Sequence, residues 1–185
     1  MNEMSRAELV LLAAAKRFST RGYHGLSFRD LAKDVGITSA SVHYHYPTKS
    51  DLVSAIADYS GEQLRSACKA LDEDATLSAS DKIGSYCDFF MARDTDPQHC
   101  RCLITALVNL ESIPGPVAEA FKQVANEQIE WLDKTCRDIP GEQDSRRAAK
   151  SLMSRIVGQC IMSSTNAEFR NHIMDAIGTS DASAR

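Results

Sequence analysis

No apolar run in these 185 residues approaches the ~20 needed to span a bilayer. Met1 to Arg6 lacks the basic segment and long apolar stretch of a secretory signal, so a cytoplasmic protein is expected. Aromatic residues make up only 6%, too few to suggest a wide aromatic-lined cavity. There is no glycine-rich phosphate loop, no nucleophile elbow and no helical metal pair, so no catalytic residue, metal or cofactor is expected. No stretch reads as a strand, and no internal repeat or low-complexity linker is present. What remains is a non-enzymatic helical protein, either a nucleic-acid regulator or a protein-interaction module.

The charge is unevenly placed. The net charge of −4 by itself speaks against nucleic acid. Yet residues 1–50 hold seven Lys/Arg against four Asp/Glu, a local +3 on an otherwise acidic chain. A basic head on an acidic body suits phosphate contact at one end only.

Apolar spacing is helical throughout. Val10, Leu11, Ala14 and Phe18 form one stripe, ended by Gly22. Ser27 with Asp30 reads as a capping box opening a short helix that turns Phe28, Leu31 and Ala32 inward. Gly36 permits a tight turn, and a third helix is predicted over Ser39–His45, stopping before Pro47. Thr48 with Asp51 opens a long fourth helix carrying Leu52, Ile56, Tyr59, Leu64 and Leu71. Further helices are predicted over 77–91, 103–110 and 117–136, with a polar loop over 94–99 and a break at Pro114-Gly115-Pro116. Another is marked by Ala149, Leu152, Ile156 and Cys160. The last opens at Thr165 with Glu168 and carries Phe169, Ile173 and Ile177.

Two short helices joined by a tight glycine turn have the geometry of a helix-turn-helix, whose second helix enters the DNA major groove. Val42 packs inward, while Thr38, Ser39, Ala40 and Ser41 are small enough for close approach to bases and phosphate. His43, Tyr44 and His45 supply larger donors toward phosphate and sugar. Lys49 adds its charge to the N-terminus of the fourth helix. His43 and His45, two apart on a helix, point to different sides and make a poor metal pair.

The run from Gly22-Tyr23-His24-Gly25 through His45-Tyr46-Pro47-Thr48-Lys49 resembles the signature of the tetracycline-repressor (TetR) family. The resemblance implies an all-α fold, with an N-terminal three-helix DNA-binding domain and a C-terminal helical regulatory and dimerisation domain. It also implies that Ser27 and Arg29 touch DNA and that Lys49 holds a phosphate. The family's usual tyrosine, ahead of the histidine-aromatic pair His45-Tyr46, is His43 here. The expected division is 1–50 for the DNA-binding domain, 51–178 for the sensing and dimerisation domain, and 179–185 for a flexible tail.

The body offers two readings of a signal. In His99-Cys100-Arg101-Cys102 two thiols flank a permanent cation near a predicted helix N-terminus, an arrangement that favours thiolate. Cys102-Leu103 followed by Leu107 also resembles the cysteine-leucine segment of electrophile-sensing repressors, although Arg101 replaces their usual glycine and Glu111 falls one residue late. Cys102 and Cys100 are thus candidate sensors, and a buried structural thiol is the alternative. The second reading is a small-molecule pocket lined by Phe89, Phe90, Leu103, Leu107, Phe121 and Trp131, residues that equally suit a plain core. Ala149, Gly158 and Cys160 permit close helix approach, so the last two helices are expected to form a homodimer. Two heads roughly 34–36 Å apart then meet successive major grooves of a palindromic operator.

Overall fold

The structure is a computed structural model that describes residues 4–91 and 98–162, without the side chains of 91, 98–100 and 162. Among the described residues there are eight α-helices and no strand. They are α1 (Arg6–Arg21), α2 (Phe28–Val35), α3 (Ser39–His45), α4 (Lys49–Glu73), α5 (Ala79–Met91), α6 (Gln98–Val108), α7 (Gly115–Arg137) and α8 (Ser145–Met162). None is long and apolar enough to cross a membrane. The expected helix after Thr165, with its capping box, lies outside the described residues, as does the tail.

The helices gather into two compact units. The first holds α1–α3, the start of α4 up to Gln63, α6, and α7 up to Ala125; the second holds the remainder. Residues distant in sequence therefore join the N-terminal helices, because α6 packs along α1.

Local chemistry starts and stops the helices of the first unit. Ser5 and Glu8 form a reciprocal capping box on α1, with bonds of 2.7 and 3.2 Å. Val10, Ala14, Ala15 and Phe18 then bury one face. Gly22, at φ 63°, ends the helix by donating its N–H to the Phe18 carbonyl at 2.9 Å. Ser27 caps α2 by accepting from the Asp30 N–H at 3.4 Å. Gly36 closes α2 in the left-handed conformation (φ 72°, ψ 34°), and Ile37 N–H reaches back to the Ala32 carbonyl at 2.9 Å. Thr38 caps α3 through the Ser41 N–H at 3.1 Å. Thr48 and Asp51 cap α4 reciprocally, at 2.9 and 3.1 Å.

Beneath these caps lie Leu26, Leu31, Val42, Leu52 and Ile56, all buried. Each full burial contributes about 1.5–3 kcal/mol relative to exposure, enough to order a three-helix head.

The bounds of α5, α6 and α7 differ from the sequence reading. α6 begins at Gln98 rather than Leu103, because the first turn of a helix is often polar and precedes its first buried residue. Cys102 accordingly sits in the second turn. α7 begins at Gly115 and absorbs Pro116, whose missing N–H costs nothing in a first turn. Ser78 with Asp81 is a further capping box, at 3.1 and 3.2 Å, starting α5.

The second unit is centred on Tyr86, fully buried and stacked on Trp131 with centroids 5.0 Å apart. Its hydroxyl donates to Gln128 Oε1 at 3.2 Å, an acceptor shared with the Cys68 thiol at 3.5 Å. Asp133 ties α7 to α8 by accepting from the Ser145 hydroxyl at 2.6 Å and from Arg137 at 2.9 Å, with Arg146 3.7 Å away.

Candidate nucleic-acid interface

α2 and α3 pack through Leu31, Ala32 and Val42, which leaves one face of α3 to solvent. Ala40, His43 and Tyr44 are exposed on it, while Ser39, Ser41 and His45 are half-buried. Tyr44 is 83% exposed, so its ring and hydroxyl are both open to a partner. Arg29 is exposed on α2, and Ser27 and Thr38 stand at the two helix starts, their hydroxyl oxygens already accepting backbone N–H groups. A hydroxyl in that role keeps its own proton free to donate outward.

Lys49 lies over the Tyr23 ring, 4.5 Å from its centroid, and burial pushes its ammonium pKa below the ordinary lysine value. Tyr23 also meets the Ser50 hydroxyl at 3.5 Å. The lysine expected to hold phosphate is thus aimed from the start of α4 by an aromatic platform at the end of α1. Tyr46 has a different role: its hydroxyl donates to the Ala7 carbonyl at 3.1 Å, pinning the end of α3 to α1. Burial raises its pKa, with the Glu8 charge adding to the effect. His43 rests against Phe28 with ring centroids 4.6 Å apart, and its Nδ1 is 3.3 Å from the Pro47 carbonyl oxygen.

The sequence reading missed Tyr23 and Arg17. Arg17 grips Asp34 with Nε and Nη2, the latter at 2.9 Å, and lies 3.9 Å from Asp30. This clamp between α1 and α2 raises the Arg17 pKa and lowers that of Asp34. Seventeen residues separate the partners, and no local pattern announces the pair.

The sensing candidates are dispersed. Cys102 is fully buried, and its thiol donates to the Ala15 carbonyl at 3.3 Å. One turn later, Thr105 donates to the Ser19 carbonyl at 3.0 Å. The side chain of Cys100 lies outside the described residues. Burial pushes the thiols of Cys68 and Cys87 up to about 12 and that of Cys136 up to about 11, so none is a thiolate at neutral pH.

Of the residues expected to line a pocket, Leu103, Leu107 and Phe121 fall in the first unit, and Phe89, Phe90 and Trp131 in the second. Phe121 is fully buried and stacked on Phe18 at 5.6 Å. Trp131 edges an open hollow of about 290 Å³ in the second unit, with Arg65, Cys68, Asp72 and Gln128. Its charged groups are paired: Arg65 with Glu127 at 3.0 Å, Asp72 with Lys134 at 3.2 Å. Among the described residues no three His, Cys, Asp or Glu converge as a metal site.

Comparison with known proteins agrees with this geometry. Residues 10–56 match the family described as bacterial regulatory proteins, tetR family. No curated protein sequence matches the chain. Among solved structures, the fold is similar to that of a TetR transcriptional regulator from Legionella pneumophila, with 24% identity over 97% of this chain and 98% of that one and a TM-score of 0.87. It is also similar to the reduced form of NemR from E. coli (13% identity, 94% and 95% covered, TM-score 0.80). A third likeness is to AibR in complex with isovaleryl coenzyme A and operator DNA (15% identity, 95% and 97% covered, TM-score 0.73). Residues 10–56 thus match the N-terminal domain of the tetR family of bacterial regulatory proteins, and the chain shares its fold with the solved regulators named above.

Proposed function

We propose that the chain is a transcriptional repressor that binds a palindromic operator as a homodimer and is released by a small-molecule signal. The observation that carries the DNA reading is the free face of α3, flanked by Arg29 and by a Lys49 poised on Tyr23. Ser39, Ala40 and Ser41 are assigned to base edges. Ser27, Arg29, Thr38, Tyr44, His45 and Lys49 are assigned to the backbone, following the general docking of helix-turn-helix units. The dimer is assigned to α8 and the segment after residue 162. The likeness to AibR, which is bound to an acyl coenzyme A and to operator DNA, supports a regulator that answers to a ligand.

For the signal, burial of Cys102 and the raised pKa values of Cys68, Cys87 and Cys136 favour structural thiols and a ligand inducer over an electrophile. The test is binding of the full-length protein to duplexes enriched from a random-sequence pool, followed by fluorescence anisotropy against salt. A palindromic consensus and a steep negative slope of log affinity on log salt are expected. Lys49→Ala should weaken all duplexes alike and make the slope shallower by about 0.9 per lost contact. Absent or salt-insensitive binding would sink the DNA reading and favour a protein-interaction module.

A further inference from the structure

We infer that His43 is a proton-dependent phosphate contact, so that operator affinity rises as pH falls; the inference rests on the DNA reading above. His43 is the fifth of the seven residues of α3 and is exposed. In helix-turn-helix units the N-terminal residues of the recognition helix meet base edges, which leaves the later positions to the backbone. The geometry of the ring then decides what it offers. Its Nδ1 is 3.3 Å from the Pro47 carbonyl oxygen, and a carbonyl only accepts, so Nδ1 carries a hydrogen and donates it there. Phe28, with its centroid 4.6 Å away, braces the ring in that pose.

With Nδ1–H engaged, Nε2 of the neutral ring is a bare acceptor. A phosphate oxygen is also only an acceptor, so the neutral ring has nothing to donate to it. Taking one proton from solvent onto Nε2 converts the ring to an imidazolium, which adds a charge-assisted donor at Nε2 of this exposed side chain. Phosphate then stabilises the proton, and binding and protonation reinforce one another.

The neighbouring elements leave this switch free. From α2, Phe28 is followed by the cation Arg29, and Asp30 and Asp34 are drawn to Arg17. On α3 itself, His45 packs against Tyr44 at 5.3 Å. Beyond Pro47, the Asp51 carboxylate accepts from Thr48 N–H and hydroxyl at 2.9 and 2.8 Å, and Lys49 lies over Tyr23. On α1, which also packs against α3, Glu8 accepts from Ser5 N–H at 2.7 Å, so these carboxylates are engaged elsewhere and the counter-charge for imidazolium is the DNA's own.

A tyrosine at this position, usual in the resemblance noted above, donates its phenolic hydrogen across the whole neutral range. The histidine makes the same donation conditional. The experiment uses full-length protein and a duplex enriched from a random pool at pH 6.0, with anisotropy at pH 6.0, 7.0 and 8.0 and constant ionic strength. Affinity should fall about tenfold per recognition helix between pH 6.0 and 8.0, the scale of one charged hydrogen bond. The salt slope should become shallower by about 0.9 per contact over the same range. His43→Tyr should lose most of this pH dependence and bind more tightly than the wild type at pH 8.0, whereas His43→Phe should bind at pH 6.0 several-fold more weakly than the wild type. Wild-type binding that ignores pH, or a pH dependence as steep in His43→Tyr as in the wild type, would overturn the inference while leaving the DNA reading intact. Failure to bind DNA at any pH would overturn both.

Discussion

Cys102 can be probed by the rate at which its thiol is alkylated. The side chain has no solvent exposure, and its Sγ–H is spent on the Ala15 carbonyl 3.3 Å away. A maleimide adduct adds several heavy atoms to an interior packed as densely as an organic crystal, so the folded form has no room for it. Reaction requires α6 to part from α1. An opening that costs only about 3 kcal/mol, low on the scale of local unfolding, already slows the reaction about 150-fold relative to the unfolded chain. The sequence makes the assay clean, because trypsin cuts after Arg101 and separates Cys102 from Cys100. Quenching N-ethylmaleimide reactions over time and quantifying the peptide that begins at Cys102, in native buffer and in urea, yields the ratio directly. A native rate at least 100-fold below the denatured one is expected. A native rate within tenfold of the denatured one would refute the reasoning and return Cys102 to the role of sensor.

Two further outcomes follow from the fold. Gly36→Ala should destabilise the protein by about 1–2 kcal/mol in urea unfolding, since nothing lies near the added methyl and the cost is the left-handed backbone alone; Gly36→Asn should lose less. Asp133 is held below the ordinary carboxylate range, first by the Ser145 hydroxyl and then by Arg137 and Arg146. A carboxylate depressed by folding contributes stability above its unfolded pKa of about 3.9, and this is lost as pH falls through its lower folded value. Urea midpoints measured from pH 6 down to pH 3 should therefore drop less steeply for Asp133→Asn than for the wild type.

The elements differ in how far they could be read from sequence. α3 runs over Ser39–His45 as its signals suggest, because Pro47 bars helical angles at Tyr46 and the inward position of Val42 is fixed by helical spacing. The Ser27–Asp30 box is only half made, with the serine accepting and the aspartate turned toward Arg17. There a tertiary ion pair competes with a local cap. The start of α6 was obscured because its first turn, Gln98 to Arg101, carries no apolar marker.

The helix-turn-helix is legible in local sequence, since caps, turns and helical periodicity act over four residues or fewer and are written where they act. Tertiary structure alone decided which surfaces were free for chemistry. The same chemical group, a thiol, a ring or an amine, serves as core or as site according to what packs over it. Cys102 meets Ala15 across 87 positions and Thr105 meets Ser19 across 86, drawing α6 into the N-terminal unit. Tyr23 finds Lys49, and Phe121 finds Phe18. Such contacts depend on how apolar faces close over one another, and no window of adjacent residues contains that information.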